Sequence, residues 1–434
     1  MKNILILFLS VTYNFVAQTN IKKIDSLLTY YNNNDKMMGQ FNIKLANNNV
    51  YQNTFGSINN PKIEVNNETK YRIGSITKMF TATLIMLLVE EKKIKLSDKL
   101  SKFYPNINNA TDITIEMLLK HRSGIPDYTN SENKIDFTNT NLKKVDIVNT
   151  INKYNSEFEP NSKAKYSNSN YFLLGGIIEQ LTHKSYNENL INRICKPLNL
   201  YYTHVGNHEL NRSKNEVGSY IYRDYSWQSI PDVNVEIPDS AGGIISTARD
   251  LTSFIYGLFS YKLVKKETLD LMIKTQDGFG LGITQIPFGD RIFYGHAGRI
   301  DGNLTSVTYY PAEKMSYAAL YNGVNSNTNE INIGVLSIYY HQPYTFPDFI
   351  DLKINPNILK KYEGIYKSET LPIKIKVFIH EEKLFAQATG QSHFPLTAKS
   401  ETEFSFEPAK IKITFKNNEL ILNQSNVEYL FTKE

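Results

Sequence analysis

The sequence predicts an α+β fold: an antiparallel sheet flanked by helices, with an all-α subdomain, followed by a small all-β, barrel-like domain. Three observations carry this expectation. A hairpin pattern near the start and a run of strand patterns after Gly278 bracket a region of apolar helices. One of these, Met79–Val89, is too long and too apolar for a strand. After about Lys361 helical periodicity ends, and strictly alternating segments follow one another. With 434 residues and 41% hydrophobic content, the chain can fill the cores of two or three domains.

Met1–Val11 carries one positive charge, Lys2, before a short apolar run, and Phe15-Val16-Ala17-Gln18 offers a cleavage point after Ala17. Residues 1–17 therefore read as a secretory signal too short to span a membrane. The expected destination is periplasmic or extracellular, with no membrane span after signal removal. Ile21–Tyr31 is patterned as an amphipathic helix. Phe41–Leu45 and Val50–Phe55 alternate on either side of Asn47-Asn48-Asn49, as a β-hairpin does. Helices are expected at Ile113–Leu119, stopped near Ser123-Gly124-Ile125-Pro126, at Leu142–Tyr154, at Tyr171–Leu181 and at Ala248–Phe259. Gly280–Thr284, Arg291–Tyr294, Thr305–Tyr310 and Ser316–Tyr321 read as strands. The pattern changes around Gln342–Pro356, which sets a first domain at 18–345, a linker at 346–360 and a second domain at 361–434. In the last, Ile373–Val377, Phe404–Phe406 and Ile411–Phe415 alternate, separated by polar turns.

Composition narrows the function classes. The 48 basic and 43 acidic residues leave only +5, spread without a long basic run, so no nucleic-acid role follows. Cys195 is the single cysteine, which excludes an intrachain disulfide; it is expected to pack as a small hydrophobe. His204 and His208 are four apart, but Gly206 lies between them in a stretch that reads as loop. Neither a metal site nor a cofactor is expected.

The chemistry concentrates at Gly74-Ser75-Ile76-Thr77-Lys78. Ser75 opens the apolar helix, and Lys78, three residues on, lies almost one turn above it on the same face. A serine hydroxyl is a poor nucleophile unless a base takes its proton, and a lysine can do so only when burial lowers its pKa. The spacing S-x-x-K also occurs at Ser131 and Ser162, in polar stretches with no apolar helix behind them. Context selects Ser75.

Two further motifs follow in order: Tyr166-Ser167-Asn168, opening the helix that holds Gly175-Gly176, and His296-Ala297-Gly298 on a late strand. Together with Ser75-Ile76-Thr77-Lys78, Leu118–Pro126 and Ala241–Leu251, they resemble the serine hydrolases related to class C β-lactamases and penicillin-binding proteins, over about residues 35 to 340. The resemblance implies a β-lactamase/transpeptidase-like fold with Ser75 as acyl-forming nucleophile and Lys78 as its base. Tyr166 would be a proton shuttle whose phenol is lowered in pKa by Lys78. It implies that Asn168 bonds the substrate amide, and that the backbone N–H groups of Ser75 and Arg299, the latter just after Gly298, form the oxyanion hole. His296 and Ala297 stand where the family carries Lys-Thr-Gly or His-x-Gly; a mostly neutral histidine and an alanine weaken recognition of a β-lactam carboxylate. Similar chains carry a C-terminal lipocalin-like β-barrel, here from Tyr362 onward.

The expected activity is that of an exported serine hydrolase cleaving a small amide or ester, with D-amino-acid-containing peptides as one candidate class. Cell-wall fragments are candidate partners. The alternatives are a class C-type β-lactamase or DD-carboxypeptidase, and a non-catalytic protein that binds cell-wall peptide.

Overall fold

The computed structural model describes residues 20–57, 62–130, 135, 141–207, 209–224, 226–235, 237–349, 352–380, 382–406, 409–424 and 427–434. The signal expected at 1–17, Ser131 and His208 lie outside the described residues. The chain forms two compact units, Met1–Val324 and Asn325–Glu434. This division falls ahead of the linker expected at 346–360.

In the first unit, helix α1 (20–33) buries Ile24, Leu27, Leu28 and Tyr31, the spacing of one helical face. The hairpin follows as β1 (Met37–Leu45) and β2 (Asn48–Phe55). A second antiparallel run is formed by β8 (Thr284–Phe288), β9 (Arg291–Ile300), β10 (Asn303–Tyr310) and β11 (Met315–Val324). Their order in the sheet is β2-β1-β11-β10-β9-β8, so strands from both ends of the unit pair at β1 and β11. The hairpin β5 (Tyr220–Arg223) and β6 (Ser226–Ser229) joins beside β11. A small second sheet holds β3 (Tyr71–Arg72), β4 (His204–Val205) and β7 (Ile244–Ser246), in the order β3-β7-β4.

The helices of this unit are α2 (Thr77–Glu90), α3 (Ile115–Leu119), α4 (Lys144–Ile151), α5 (Asn168–Thr182), α6 (Tyr186–Leu190), α7 (Lys196–Leu198), α8 (Asp239–Gly242), α9 (Ala248–Phe259) and α10 (Lys266–Ile273). Helix α2 is buried almost all round, from Thr77 to Met86 and again at Leu88. An all-round apolar helix has to run through the core, and here it carries Lys78 in with it. The main core surrounds it with Leu173, Leu174, Ile177, Leu251 and Phe254, the last stacked on Phe80 at 3.7 Å. Cys195 packs there too, 3% exposed.

Some local expectations are corrected. Gly280–Ile283 is not strand: Leu281 and Ile283 are buried, but the Leu281 N–H bonds to the Met272 carbonyl at the end of α10 instead of to the sheet. Apolar residues had suggested a pairing that the backbone does not make. His204 belongs to a short strand, not a loop. Helix α11 (Thr328–Tyr339) has no counterpart among the sequence expectations, and α12 (Pro356–Tyr362) begins inside the expected linker, with Pro356 in its first turn and the Asn355 side chain accepting from the Asn357 N–H.

The second unit is the all-β domain. Its strands are β12 (Gly364–Lys367), β13 (Lys374–His380), β14 (Lys383–Ala388), β15 (Phe394–Pro395), β16 (Thr397–Ala398), β17 (Glu403–Phe406), β18 (Ile411–Lys416), β19 (Glu419–Gln424) and β20 (Val427–Lys433). The nine-stranded antiparallel order β15-β14-β13-β12-β20-β19-β18-β17-β16 leaves two end strands separated in sequence by Leu396 alone, a nearly closed barrel. Its interior is filled by Tyr366, Phe404, Phe415, Phe431 and the α12 residues Leu359 and Tyr362.

A buried ion pair ties β3 to the β9–β10 turn. Arg72 Nη1 lies 3.1 Å from Asp301 Oδ2, with the side chains 1% and 2% exposed, and it also donates to the Val233 carbonyl at 2.8 Å. Burial pushes the Asp301 carboxyl up to about 6 even though Arg72 pulls it down. Removing one partner of such a pair strands the other charge, so Arg72→Met is expected to cost about 3–5 kcal/mol in urea unfolding at neutral pH. The sign with pH follows from the raised value. Folded Asp301 binds its proton more tightly than the unfolded chain does, so folding gains at this residue as pH falls through about 6. The Arg72→Met deficit should therefore shrink in mild acid; a deficit that grew there would show that Asp301 is not the stranded charge.

Candidate active site

Ser75 sits in a single 3₁₀ turn, Gly74–Ile76, that leads from β3 into α2. Gly74 has φ +53°, and a Cβ there would lie 2.8 Å from both N and O of Arg299. Gly298 answers from the other side: its Cβ would fall 2.1 Å from the Ile73 carbonyl oxygen. Two glycines thus let the serine turn lie directly on the backbone of β9. Thr305 fastens the junction, its hydroxyl donating to the Ile73 carbonyl at 2.8 Å.

Four of the expected side chains form one hydrogen-bonded chain. Lys78 Nζ lies 3.0 Å from Ser75 Oγ, 2.7 Å from Asn168 Oδ1 and 2.7 Å from the Ala241 carbonyl oxygen. Tyr166 donates its phenol hydrogen to Ser75 Oγ at 2.7 Å. Lys78 is wholly buried, and burial lowers its pKa to about 7, against a smaller opposing pull from Asp127. As a neutral amine it has two hydrogens and a lone pair. The hydrogens match the two carbonyl-type oxygens of Asn168 and Ala241, which leaves the lone pair for the Ser75 hydroxyl.

Two expectations change here. Tyr166 is not lowered in pKa: burial pushes its phenol above the usual range, and its bond to Ser75 offsets only part of this. Asn168 is also less available to a substrate than expected, since its Nδ2 already donates to Asp127 Oδ2 at 2.9 Å and to Thr129 Oγ1 at 3.0 Å. Both amide hydrogens are engaged.

On β9 the residues alternate. His296 and Gly298 point inward; Ala297 and Arg299 are exposed. Burial, and secondarily Lys78, lowers the His296 pKa to about 4, so the imidazole is neutral at pH 7. Arg299 pairs with Leu304 of β10, which fixes its backbone beside the serine turn while its side chain faces out.

Sequence reasoning gave no role to three groups that hold the cluster. His121, 2% exposed, stacks on the Tyr166 ring with centroids 4.4 Å apart, and its Nδ1 accepts the Ser167 N–H at 3.1 Å. Asp127 and Thr129 fix Asn168. The Ala241 carbonyl, in α8, takes one hydrogen of Lys78. The Ser-Gly-Ile-Pro turn followed by Asp-x-Thr was the available signal for the second of these. The rival Ser162 is a surface turn: its hydroxyl bonds to the Glu159 carbonyl, and Lys165 pairs with Glu157. Among the described residues no group of three or more His, Cys, Asp or Glu could hold a metal ion, and no helix is long and apolar enough to cross a membrane.

Comparison with known proteins adds independent findings. The beta-lactamase family model matches residues 46–336. Protein flp of Staphylococcus aureus (strain MRSA252) is 34% identical over 200 residues, which cover 45% of this chain and 39% of that protein. The match thus spans well under half the length of that relative. Penicillin-binding protein 4* of Bacillus subtilis (strain 168) is 27% identical over 399 residues, covering 84% of this chain and 87% of its own. The crystal structure of a D-stereospecific amidohydrolase from Streptomyces sp. superposes with a TM-score of 0.61 at 26% identity, covering 71% of this chain and 94% of that one.

Proposed function

The chain belongs to the beta-lactamase family of serine hydrolases, and from that premise we propose that it cleaves a small amide or ester through an acyl intermediate on Ser75. One observation carries the proposal: the buried Lys78 Nζ lies 3.0 Å from Ser75 Oγ and 2.7 Å from both Asn168 Oδ1 and the Ala241 carbonyl oxygen, so that in its neutral form two hydrogens go to those oxygens and the lone pair is left for the Ser75 hydroxyl.

In this reading Lys78 takes the hydroxyl proton as Ser75 Oγ attacks the substrate carbonyl carbon. Negative charge gathers on the carbonyl oxygen, between the backbone N–H groups of Ser75 and Arg299, at the mouth of the serine turn. Tyr166 enters as a neutral phenol. It gives its proton to the departing amine or alcohol and recovers one from Lys78, so the leaving group departs neutral and the acyl-enzyme remains. Water reverses the path: it loses a proton to the same pair, attacks the ester and releases the acid with Ser75 restored. Lys78 must be unprotonated to begin, so the rate should climb with pH through about 7.

The strand facing the site bears on the substrate. His296 is buried and neutral, and Ala297 offers a methyl group. Neither supplies the cation and hydroxyl that would hold a carboxylate beside the scissile bond. This favours neutral amides and esters, and the likeness to a D-stereospecific amidohydrolase supports D-amino-acid amides among them. A panel of D- and L-amino-acid amides, short-chain p-nitrophenyl esters and β-lactams decides the matter by kcat/KM. Amides or esters should exceed the β-lactams by about tenfold or more; the reverse order would make the protein a β-lactamase. Export is part of the same proposal, on the strength of Lys2 to Ala17.

A further inference from the structure

Asp127 holds the residue that holds Lys78. Its Oδ2 accepts from Asn168 Nδ2 at 2.9 Å, and its Oδ1 accepts from the Thr129 N–H at 2.9 Å and the Thr129 hydroxyl at 2.8 Å. The Thr129 oxygen in turn accepts from Asn168 Nδ2 at 3.0 Å. The network has a direction, because each of these bonds ends on a carboxylate or hydroxyl oxygen of Asp127 or Thr129.

This settles a choice the amide could not make alone. A side-chain amide is nearly symmetric in shape, and turned by half a rotation Asn168 would present its NH₂ to the Lys78 amine and its oxygen to Asp127. The oxygen would face the Asp127 carboxylate with no hydrogen between them, and the NH₂ would donate to the Lys78 lone pair and take it from Ser75. With Asp127 in place only one orientation is bonded at every atom, the one that aims Oδ1 at Lys78. The oxygen then binds one lysine hydrogen, and the lone pair is left for Ser75.

We propose that Asp127 is a positioning residue that sets the orientation of the Asn168 amide and, through it, the direction of the Lys78 lone pair toward Ser75. The proposal rests on the reading of Ser75 as nucleophile and Lys78 as base. A second consequence is electrostatic. The groups facing Lys78 are Asp127, whose negative charge favours the ammonium form, with Tyr166 and Tyr171 rings at 5.0 and 5.6 Å and the neutral imidazoles of His121 and His296. Asp127 is the one of these whose removal takes away a negative charge. Its loss should leave the lysine easier to deprotonate but wrongly aimed.

The test is the second-order rate of labelling by a fluorophosphonate probe from about pH 5 to about pH 9, with intact mass to confirm a single adduct. Asp127→Asn should lower the plateau rate by about 10- to 100-fold and move the acid limb to lower pH, while Asp127→Glu restores part of the rate. Thr129→Val, which keeps the charge, should lower the rate several-fold and leave the limb where it is. An Asp127→Asn protein with the wild-type plateau and limb would overturn the proposal, as would a Thr129→Val protein labelled at the wild-type rate at every pH, whether or not Asp127→Asn folds. Failure of the underlying reading looks different: the wild type itself would take no label, or would take it on a residue other than Ser75.

Discussion

Ser75→Ala should lower hydrolysis of every substrate by at least about 10³-fold and abolish the covalent adduct with a fluorophosphonate probe. The fold should persist. Ser75 is only half-buried, and the substitution removes the partner of the Tyr166 phenol and one neighbour of Lys78, a loss on the order of 1–3 kcal/mol. Intact mass before and after the probe, with circular dichroism on both proteins, separates lost chemistry from lost structure. Hydrolysis that survived in a folded Ser75→Ala protein would remove the acyl-serine mechanism altogether. An unlabelled wild type would instead shift the weight to a protein that binds its ligand without turning it over.

Lys78 distinguishes a base from a fixed charge. Methionine there keeps the apolar stem but leaves Asn168 Oδ1 and the Ala241 carbonyl without their donor, and turnover should fall by about 10³-fold with a stability loss of about 2 kcal/mol. Arginine keeps a cation but cannot give up its proton, and it brings a permanent charge into a wholly buried site built for a group with a pKa of about 7. Lys78→Arg should be as inactive as Lys78→Met and less stable to urea. Substantial turnover in the arginine variant would show that charge, not proton acceptance, is what position 78 supplies. The wild-type kcat/KM profile checks the same point. It should rise through about pH 7, with no inflection from His296, which is neutral above about 4.

Much of the candidate site was legible because its parts have separate local signatures. An apolar helix starting at a serine, with a lysine three residues in, can hardly place that lysine anywhere but inside. Tyr166 and Asn168 are marked by the helix they open, and His296 to Arg299 by the strand they lie on. The sheet was legible in the same way, from alternation at both ends of the first unit. What failed locally was Gly280–Ile283, where burial without strand pairing imitates a strand, and Pro356–Tyr362, too short a helix to show a period.

Residue types and spacing by themselves determined the α+β architecture, the all-β second part and the placing of Lys78 beside Ser75, because periodicity and burial are properties of short stretches. Which protonation state each group takes was decided only by the tertiary structure. The Tyr166 phenol is held above its usual range because the fold buries it, stacked on His121. Asn168 faces Lys78 with its oxygen because Asp127, 41 residues away in the chain, occupies its other side. Desolvation and hydrogen-bond direction depend on every element that converges on a point, and no single segment carries that information.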